Sequence, residues 1–203
     1  SDGKKRMSKP GAIFLAAHSA ALAVSGLMNA AWAESIAMPP GLSIDLPEGW
    51  ALDGSPEGVV SKTGLRRVQF ACESDACEQT QETCTILTRE EQMEGDGDAG
   101  KLREMYASPL KRYSRLRAVL RATGPDAGIR KPLERVRVGD RDWYRVETDA
   151  RHNYKSGLYA ETVIDGRYVG VICKSCETGE ERHVSGLRIM RSMQSNSPVS
   201  VPR

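Results

Sequence analysis

The sequence predicts an α+β fold, in which an antiparallel sheet is flanked by helices. Three observations predict it. Short segments that alternate apolar and polar residues form two groups, one early and one late in the chain, with turn residues between them. A helical period of three or four residues separates the two groups, and a second one follows the last strand. Strands, a helical segment, a meander and a final helix, in that order, are typical of helices packed on an antiparallel sheet.

The start of the chain predicts a cleavable secretory signal. Four basic residues among the first nine precede an apolar run over 12–28, and small residues stand on both sides of Trp32. A positive flank, a short apolar core and small residues at alternate positions are the features of a signal peptide. We expect cleavage after Ala33 and export to the periplasm. The alternative is an uncleaved anchor, but the run falls short of the about 20 mostly apolar residues that span a bilayer.

The sequence predicts three segments along the chain. We expect a signal peptide over 1–33, a single α+β domain over 34–194 and a disordered Ser- and Pro-rich tail over 195–203. The leader carries four basic residues and one acidic residue, so its removal changes the formal net charge from +2 to −1. A nearly neutral exported domain has no overall basic field to attract nucleic acid. We expect neither a nucleic-acid partner nor a membrane span after cleavage.

The first strands lie between turns rich in Gly and Pro. Residues 35–40 predict an extended linker. Residues 42–46 alternate apolar and polar side chains, which predicts a strand, and Pro47 ends it because proline cannot donate to a ladder. Residues 59–61 and 66–70 predict two more strands around a Thr-Gly turn.

The middle of the chain predicts loops and then helices. Residues 72–84 are polar, acidic and rich in cysteine, which predicts a loop, with a short strand at 83–87. Residues 90–100 predict a second acidic loop, since Gly and Asp are frequent there. Apolar residues then follow a helical period over 102–121. Pro109 comes directly after a serine inside this segment, and because such a pair favours a helix start, we expect either a kink or two consecutive helices.

The last third predicts a meander and a helix. The Asp-Gly pair that begins at Asp165 is a strong hairpin signal. Thr178 predicts the start of the final helix, because Glu181 three residues later would complete a capping box. The predicted strands are 133–138, 142–148, 158–164 and 168–173.

The stretch Gly41–Trp50, which ends in Pro-Glu-Gly-Trp, resembles the opening strand and P-x-G-W turn of the PsbP/DcrB-like proteins. The hairpin at Asp165 and the last helix are similar to the C-terminal half of that family. Its members are exported or lumenal α/β/α sandwich domains that serve as accessory, assembly or binding proteins, and they share no catalytic residues. The resemblance therefore implies a PsbP/DcrB-like sandwich with a non-enzymatic accessory role, and it assigns no site residue. The cysteines are not part of the resemblance.

Disulfide bonding is the first interpretation of the cysteines, because an exported protein works in an oxidising compartment. Their number is odd, so at most two internal bridges form, and the spacing leaves the connectivity open. A bridge from the 72–84 segment to the region of Cys173 would remove chain entropy worth about 3–5 kcal/mol. The five candidates are Cys72, Cys77, Cys84, Cys173 and Cys176.

A redox site is the alternative interpretation of two of these cysteines. Cys173 and Cys176 form a C-x-x-C directly before the last helix, where a helix dipole and Lys174 would favour a reactive thiolate. The local setting is similar to a thioredoxin active site, but no further strands follow the motif. A bridge from either cysteine to the 72–84 segment would end this hypothesis. Zinc bound by four thiolates is a third alternative, which the compartment argues against.

Two charged segments invite functional interpretations. Residues 94–98 alternate carboxylates with Gly as a calcium loop does, but Gly100 stands where the next ligand belongs, which favours a solvated acidic loop. The segment 73–98 holds nine acidic residues and one basic residue, and the charge then reverses. The basic residues predict either a solvated helix face complemented by the acidic segment, which we favour, or a surface for an anionic partner. They are Arg103, Lys111, Arg112, Arg115, Arg117 and Arg121.

The histidines add no catalytic arrangement. His152 lies in a predicted hairpin loop and His183 on the predicted last helix, and no hydrolase or metalloprotease motif occurs. The sequence therefore predicts an exported, disulfide-stabilised, non-enzymatic accessory or binding protein of the bacterial envelope, without metal or cofactor. The alternative is a thiol–disulfide redox protein. The expected partner is another envelope protein or an anionic envelope component.

Overall fold

A computed structural model describes residues 34–93, 95–123, 127–149 and 153–196. The leader, Glu94, His152 and most of the predicted tail lie outside these residues. Within them the fold is α+β, with antiparallel strands and three helices. The strands are β1 (Ser35–Met38), β2 (Leu42–Asp45), β3 (Trp50–Asp53), β4 (Val59–Val60), β5 (Leu65–Cys72), β6 (Thr83–Gln92), β7 (Gly128–Val138), β8 (Arg141–Asp149), β9 (Ser156–Ile164), β10 (Arg167–Ser175) and β11 (Gln194–Ser195). The helices are α1 (Gly97–Met105), α2 (Pro109–Thr123) and α3 (Val184–Ser192).

The strands form two antiparallel sheets. The larger one has the order β3-β5-β6-β10-β9-β8-β7, with β4 also paired to β5. The smaller one has the order β1-β2-β11. Strands β8, β9 and β10 match the predicted strands to within two residues at either end, whereas β7 begins at Gly128, five residues before the predicted start at 133, because it pairs with β8 along that length as well.

Residues 35–40, predicted as a linker, instead contain a strand. In β1, Ile36 lies opposite Ile44 of β2, and Met38 is buried. The apolar residues at alternate positions provide one buried face, which the nearby Ser and Pro residues hid from the sequence pattern. At the other end of the chain, Ser195 pairs with Leu42, so the predicted tail begins as strand β11.

Strand β6 is longer than the sequence predicted and takes up part of both predicted loops. It pairs with β5 on one side and β10 on the other, so the ladders on both sides hold its polar residues in place. Helix α1 likewise begins at Gly97, inside the predicted acidic loop. The break at Pro109 is confirmed as two helices, and the Ser108 hydroxyl accepts a hydrogen bond from the Lys111 amide at 3.2 Å.

The last helix begins later than Thr178, at Val184. His183 precedes it with a φ of +59°, and its amide donates to a Glu177 carboxylate oxygen at 2.9 Å. The predicted capping box therefore does not form, since Glu177 binds the backbone ahead of the helix.

Alternate residues of the central strands contribute to different apolar clusters. Phe70, Trp143 and Val171 belong to one cluster, together with Ile189 and Met190 of α3. A second cluster is built around α1, and its members are Leu87, Leu102, Met105, Tyr106, Val163 and Tyr168. No helix among the described residues is long and apolar enough to cross a bilayer.

Strand β7 lies at the outer edge of the large sheet and has two register shifts against β8. Its ion pairs reach across to β8, with Lys131 Nζ 2.9 Å from Glu147 and Glu134 3.3 Å from Arg145. The strand also contains Pro132, which cannot donate a hydrogen bond. The charged residues of β7 are Arg130, Lys131, Glu134, Arg135 and Arg137.

Candidate functional site

The cysteines form two disulfides, so the prediction of disulfide bonding is confirmed. Cys72 bonds to Cys77 within one segment, whereas Cys84 bonds to Cys173, its partner in the ladder between β6 and β10. Cys176 is a free thiol, with its sulfur 3.0 Å from the carbonyl oxygen of Asn153. The C-x-x-C is therefore not a dithiol pair, because its first cysteine is fully buried and bonded to the opposite strand. This pairing removes the basis of the redox alternative.

The four-thiolate zinc alternative is excluded, because the two disulfides bond four of the five cysteine sulfurs. In the part of the chain that the structure describes, no group of three or more metal-ligating side chains comes together. Asp98 instead holds the β9–β10 turn, since its carboxylate oxygens accept the amides of Asp165 at 3.0 Å and Gly166 at 2.8 Å.

The predicted basic residues do not share one role. Lys111 pairs with Glu104, and Arg112 donates to the carbonyl oxygen of Tyr106 at 2.9 Å. The guanidinium of Arg117 lies 5.9 Å from the ring centre of Tyr113, and Arg103 is exposed. The two remaining residues, Arg115 and Arg121, line a cavity.

This cavity, which we call the basic cavity, has a volume of about 990 Å³ and lies beside α2, over strands β5, β6, β9 and β10. Its volume is at the upper end of the range for small-molecule sites. Apolar residues such as Leu87 and Ile172 form part of its wall. Five basic side chains and one acidic side chain supply the charge. They are Arg67, Arg89, Arg115, Arg121, Lys174 and Asp53.

Strand register brings these residues together. In the β5–β6 ladder, Arg89 lies opposite Leu65, two positions from Arg67, so both arginines lie on the same face of the sheet. On the other side of β6, Thr83 lies opposite Lys174 of β10, which belongs to the same face. Sequence analysis did not assign these three basic residues to one site, because they are far apart in the chain and only the long-range pairing joins them.

Most of the cationic groups in the basic cavity have no carboxylate partner. Among the described residues, none forms an ion pair with Arg67, Arg89 or Lys174. The Nε of Arg89 is buried and has no hydrogen-bond acceptor in the part of the chain that the structure describes, and the Cζ of Arg89 lies 6.0 Å from the ring centre of Tyr168, within cation–π range. Asp53 is the one acidic side chain of the described lining, and it accepts a hydrogen bond at 2.7 Å from Gln69, which also lines the cavity.

A buried carboxylate fixes the floor of the cavity. Glu161 is fully buried and accepts hydrogen bonds from the hydroxyls of Tyr106 and Tyr159, the second at 2.7 Å. The Tyr159 and Tyr168 hydroxyls are 3.1 Å apart. Arg115 Nη1 lies 3.5 Å from Glu161, and its Cζ is 5.7 Å from the Tyr168 ring centre. We call these five residues the Glu161 network.

The Glu161 network keeps its three tyrosines protonated and its arginine charged. Burial, followed by the charge of Glu161, raises the pKa of Tyr106, Tyr159 and Tyr168 well above the usual value, so all three phenols stay protonated and can donate. Burial has the largest single effect on Arg115 and lowers its pKa, but Glu161 and the three tyrosines together outweigh burial, so the pKa of Arg115 is raised. Arg115 is thus a permanent cation held in position at the cavity wall.

Sequence analysis missed the Glu161 network, although a signal was present. Glu161 is the only charged residue of β9, in a strand where every position is buried. A lone carboxylate in such a run needs internal donors, since an unpaired buried charge is costly. Tyr159, two positions away on the same face, is one of them.

Alkaline pH should destabilise the fold through the three buried tyrosines. Unfolded tyrosine releases its proton near pH 10, whereas the folded state retains it because its pKa is raised. The stabilisation that the three tyrosines provide is therefore fully present below about pH 10. Above that pH the free energy of unfolding should fall by up to about 1.4 kcal/mol per pH unit for each tyrosine. Urea unfolding across this range measures the slope. Tyr159→Phe should reduce it, and a slope equal to that of the wild type would contradict the assignment.

The predicted helix residue His183 belongs to a separate buried pair. Its Nδ1 lies 3.6 Å from Glu82 Oε1, and both residues are buried. Within the described residues, neither ring nitrogen of His183 has a hydrogen-bond partner. The pair lies away from the basic cavity lining and joins the segment before β6 to the start of α3.

Comparison with known proteins finds similarity only among solved structures. No protein-family model and no curated protein matches the chain. The chain is similar to the solution structure of cyanobacterial PsbP (CyanoP) from Synechocystis sp. PCC 6803, with 17% identity, a TM-score of 0.47, and coverage of 86% of this chain and 98% of that one. A PsbP is thus among the similar structures, as the sequence resemblance predicts.

A second similar structure is a protein of Bacteroides thetaiotaomicron VPI-5482, with 9% identity and a TM-score of 0.44. The match covers 81% of this chain, which spans only 48% of that protein.

Proposed function

We propose that this chain is an exported, non-enzymatic accessory protein of the bacterial envelope, which binds an anionic ligand in the basic cavity. The signal-like leader supports export to the periplasm, with cleavage after Ala33. Two disulfides support an oxidising compartment. The proposal includes the predicted sandwich architecture, in which helices flank the large sheet.

The basic lining of the cavity is the observation that carries the binding proposal. Five cationic side chains line the cavity, against the carboxylate of Asp53 and the buried carboxylate of Glu161, which is paired with Arg115. Cations crowded into a partly buried space repel one another, and a bound anion would relieve the repulsion. Arg67, Arg89 and Lys174 line the cavity and have no ion-pair partner among the described residues, so their charges are available to such an anion. The ligand is an anionic envelope component or an acidic part of another envelope protein.

Titration with pyrophosphate tests this function. Calorimetry should detect saturable binding that weakens steeply as salt is added, because the contacts are electrostatic. The double substitution Arg67→Gln with Arg89→Gln should weaken binding at least about tenfold, since hydrogen bonds to charged groups are worth about 1.5–3 kcal/mol each. The matched control is Arg103→Gln with Arg117→Gln, which removes the same charge outside the cavity lining.

The control decides between a site and a general surface effect. Equal weakening in both double variants would assign binding to overall charge and reject the cavity. Absence of saturable pyrophosphate binding to the folded wild-type protein would reject the anion-binding function itself. Circular dichroism of each variant verifies that it is folded.

A further inference from the structure

We propose that the ligand is an extended oligoanion carrying several phosphoryl groups, which runs from the basic cavity into a second groove along α2. This inference rests on the proposed function and specifies its ligand. It depends on how the two spaces join, on the free cations along them and on the directions from which those cations come.

The second groove, which we call the α1–α2 groove, has a volume of about 480 Å³. Arg89, Arg115, Ala118 and Arg121 line both this groove and the basic cavity. The two spaces therefore meet along one face of α2, where three guanidinium groups stand at the boundary. A ligand bound at these arginines can extend to either side of them.

The α1–α2 groove adds a further free cation. Lys101 lines it, and no residue that the structure describes forms an ion pair with this lysine. Lys111 also lines the groove, but Glu104 already neutralises it through an ion pair and a hydrogen bond from Nζ to the Glu104 carbonyl at 3.1 Å. Cations thus line both spaces, and except for Arg115, which pairs with Glu161, and Lys111, they have no ion-pair partner among the described residues.

The positions of the cationic side chains in the fold favour a phosphoryl ligand over a single carboxylate. Arg67 of β5, Arg89 of β6 and Lys174 of β10 share one face of the sheet, and the other two come from α2, so donors face the cavity from both the sheet and the helix. A phosphoryl group offers several tetrahedrally placed oxygens and can carry more than one charge. A carboxylate is planar and carries one charge, which would leave most of these cations unbalanced.

Chain length is the variable that tests this inference. Pyrophosphate, tripolyphosphate and a longer linear polyphosphate are titrated into the wild-type protein, with affinity expressed per phosphate to remove the statistical gain of longer chains. We expect affinity to rise with length until both spaces are filled, to at least about tenfold above that of pyrophosphate. Lys101→Gln should weaken binding of the longest chain several-fold and leave pyrophosphate binding unchanged. Arg103→Gln, on the same helix but outside both spaces, should change neither.

The outcomes separate this inference from the proposed function. Pyrophosphate binding with no gain from chain length, or equal effects of Lys101→Gln on short and long chains, would overturn the extended ligand while leaving the cavity as an anion site. An oligoglutamate of equal charge that binds as tightly as polyphosphate would overturn the phosphoryl assignment. Failure of every probe would reject the anion site and this inference together.

Discussion

Replacing both Cys84 and Cys173 with alanine should lower the free energy of unfolding by about 4–5 kcal/mol. The bridge joins residues 89 apart in sequence, so it closes a long loop in the unfolded chain. Removing the Cys72–Cys77 bridge should lower the same quantity by only about 2 kcal/mol, because those residues are five apart. Since domains are stable by about 5–15 kcal/mol, the first loss is a large part of the total.

The position of the long-range bridge adds to its effect. Both sulfurs are fully buried in the main apolar cluster, and a Cβ on Gly186 of α3 would lie 2.8 Å from the Cys173 sulfur. Helix α3 therefore packs directly on the bridge, and alanine leaves a cavity beneath it. Urea unfolding of the two double variants under oxidising conditions provides the comparison. Equal losses in the two variants would contradict the pairing of Cys84 with Cys173.

The second large effect is expected at the buried carboxylate. Glu161→Ala should lower the free energy of unfolding by about 3–5 kcal/mol, the usual cost of removing one partner from a buried ion pair. The substitution leaves Arg115 without its counter-ion and two tyrosine hydroxyls without their acceptor. Glu161→Gln keeps one acceptor oxygen and the side-chain volume, so its effect should be smaller but in the same direction.

A second glutamate gives the matched control for this prediction. Glu134 forms an ion pair with Arg145 at 3.3 Å, but about half of its side chain is exposed. Glu134→Ala should therefore change stability by no more than about 1 kcal/mol. Similar losses for Glu134→Ala and Glu161→Ala, measured by urea unfolding, would show that the buried network does not have the stabilising role assigned to it.

Local signals in the sequence predict most of the secondary structure. The Ser-Pro pair at Pro109 separates two helices, and the Asp-Gly pair at Asp165 joins two strands, because each acts on its own backbone. Strand β6 was predicted too short because its neighbours, and not its composition, hold its polar residues. Helix α3 starts later than predicted since Glu177, rather than Thr178, binds the backbone ahead of it.

The basic cavity could not be predicted in the same way. Its arginines come from β5, β6 and α2, and each looks like an ordinary solvated residue in its own segment. Only the register between strands puts Arg67 and Arg89 on one face. The disulfide pairing depends on the same register, since Cys84 and Cys173 are opposite each other only once β6 has paired with β10. Spacing along the chain contains neither piece of information.

The outer strand β7 has a consequence for concentrated solutions of this protein. An uncovered strand edge can recruit the edge of another molecule, and such contacts start aggregates and fibrils. Here Pro132 offers no N–H to an incoming strand, the two register shifts interrupt a regular ladder, and five charged side chains would have to lose water. Copies of the protein are therefore discouraged from adding to one another along this edge.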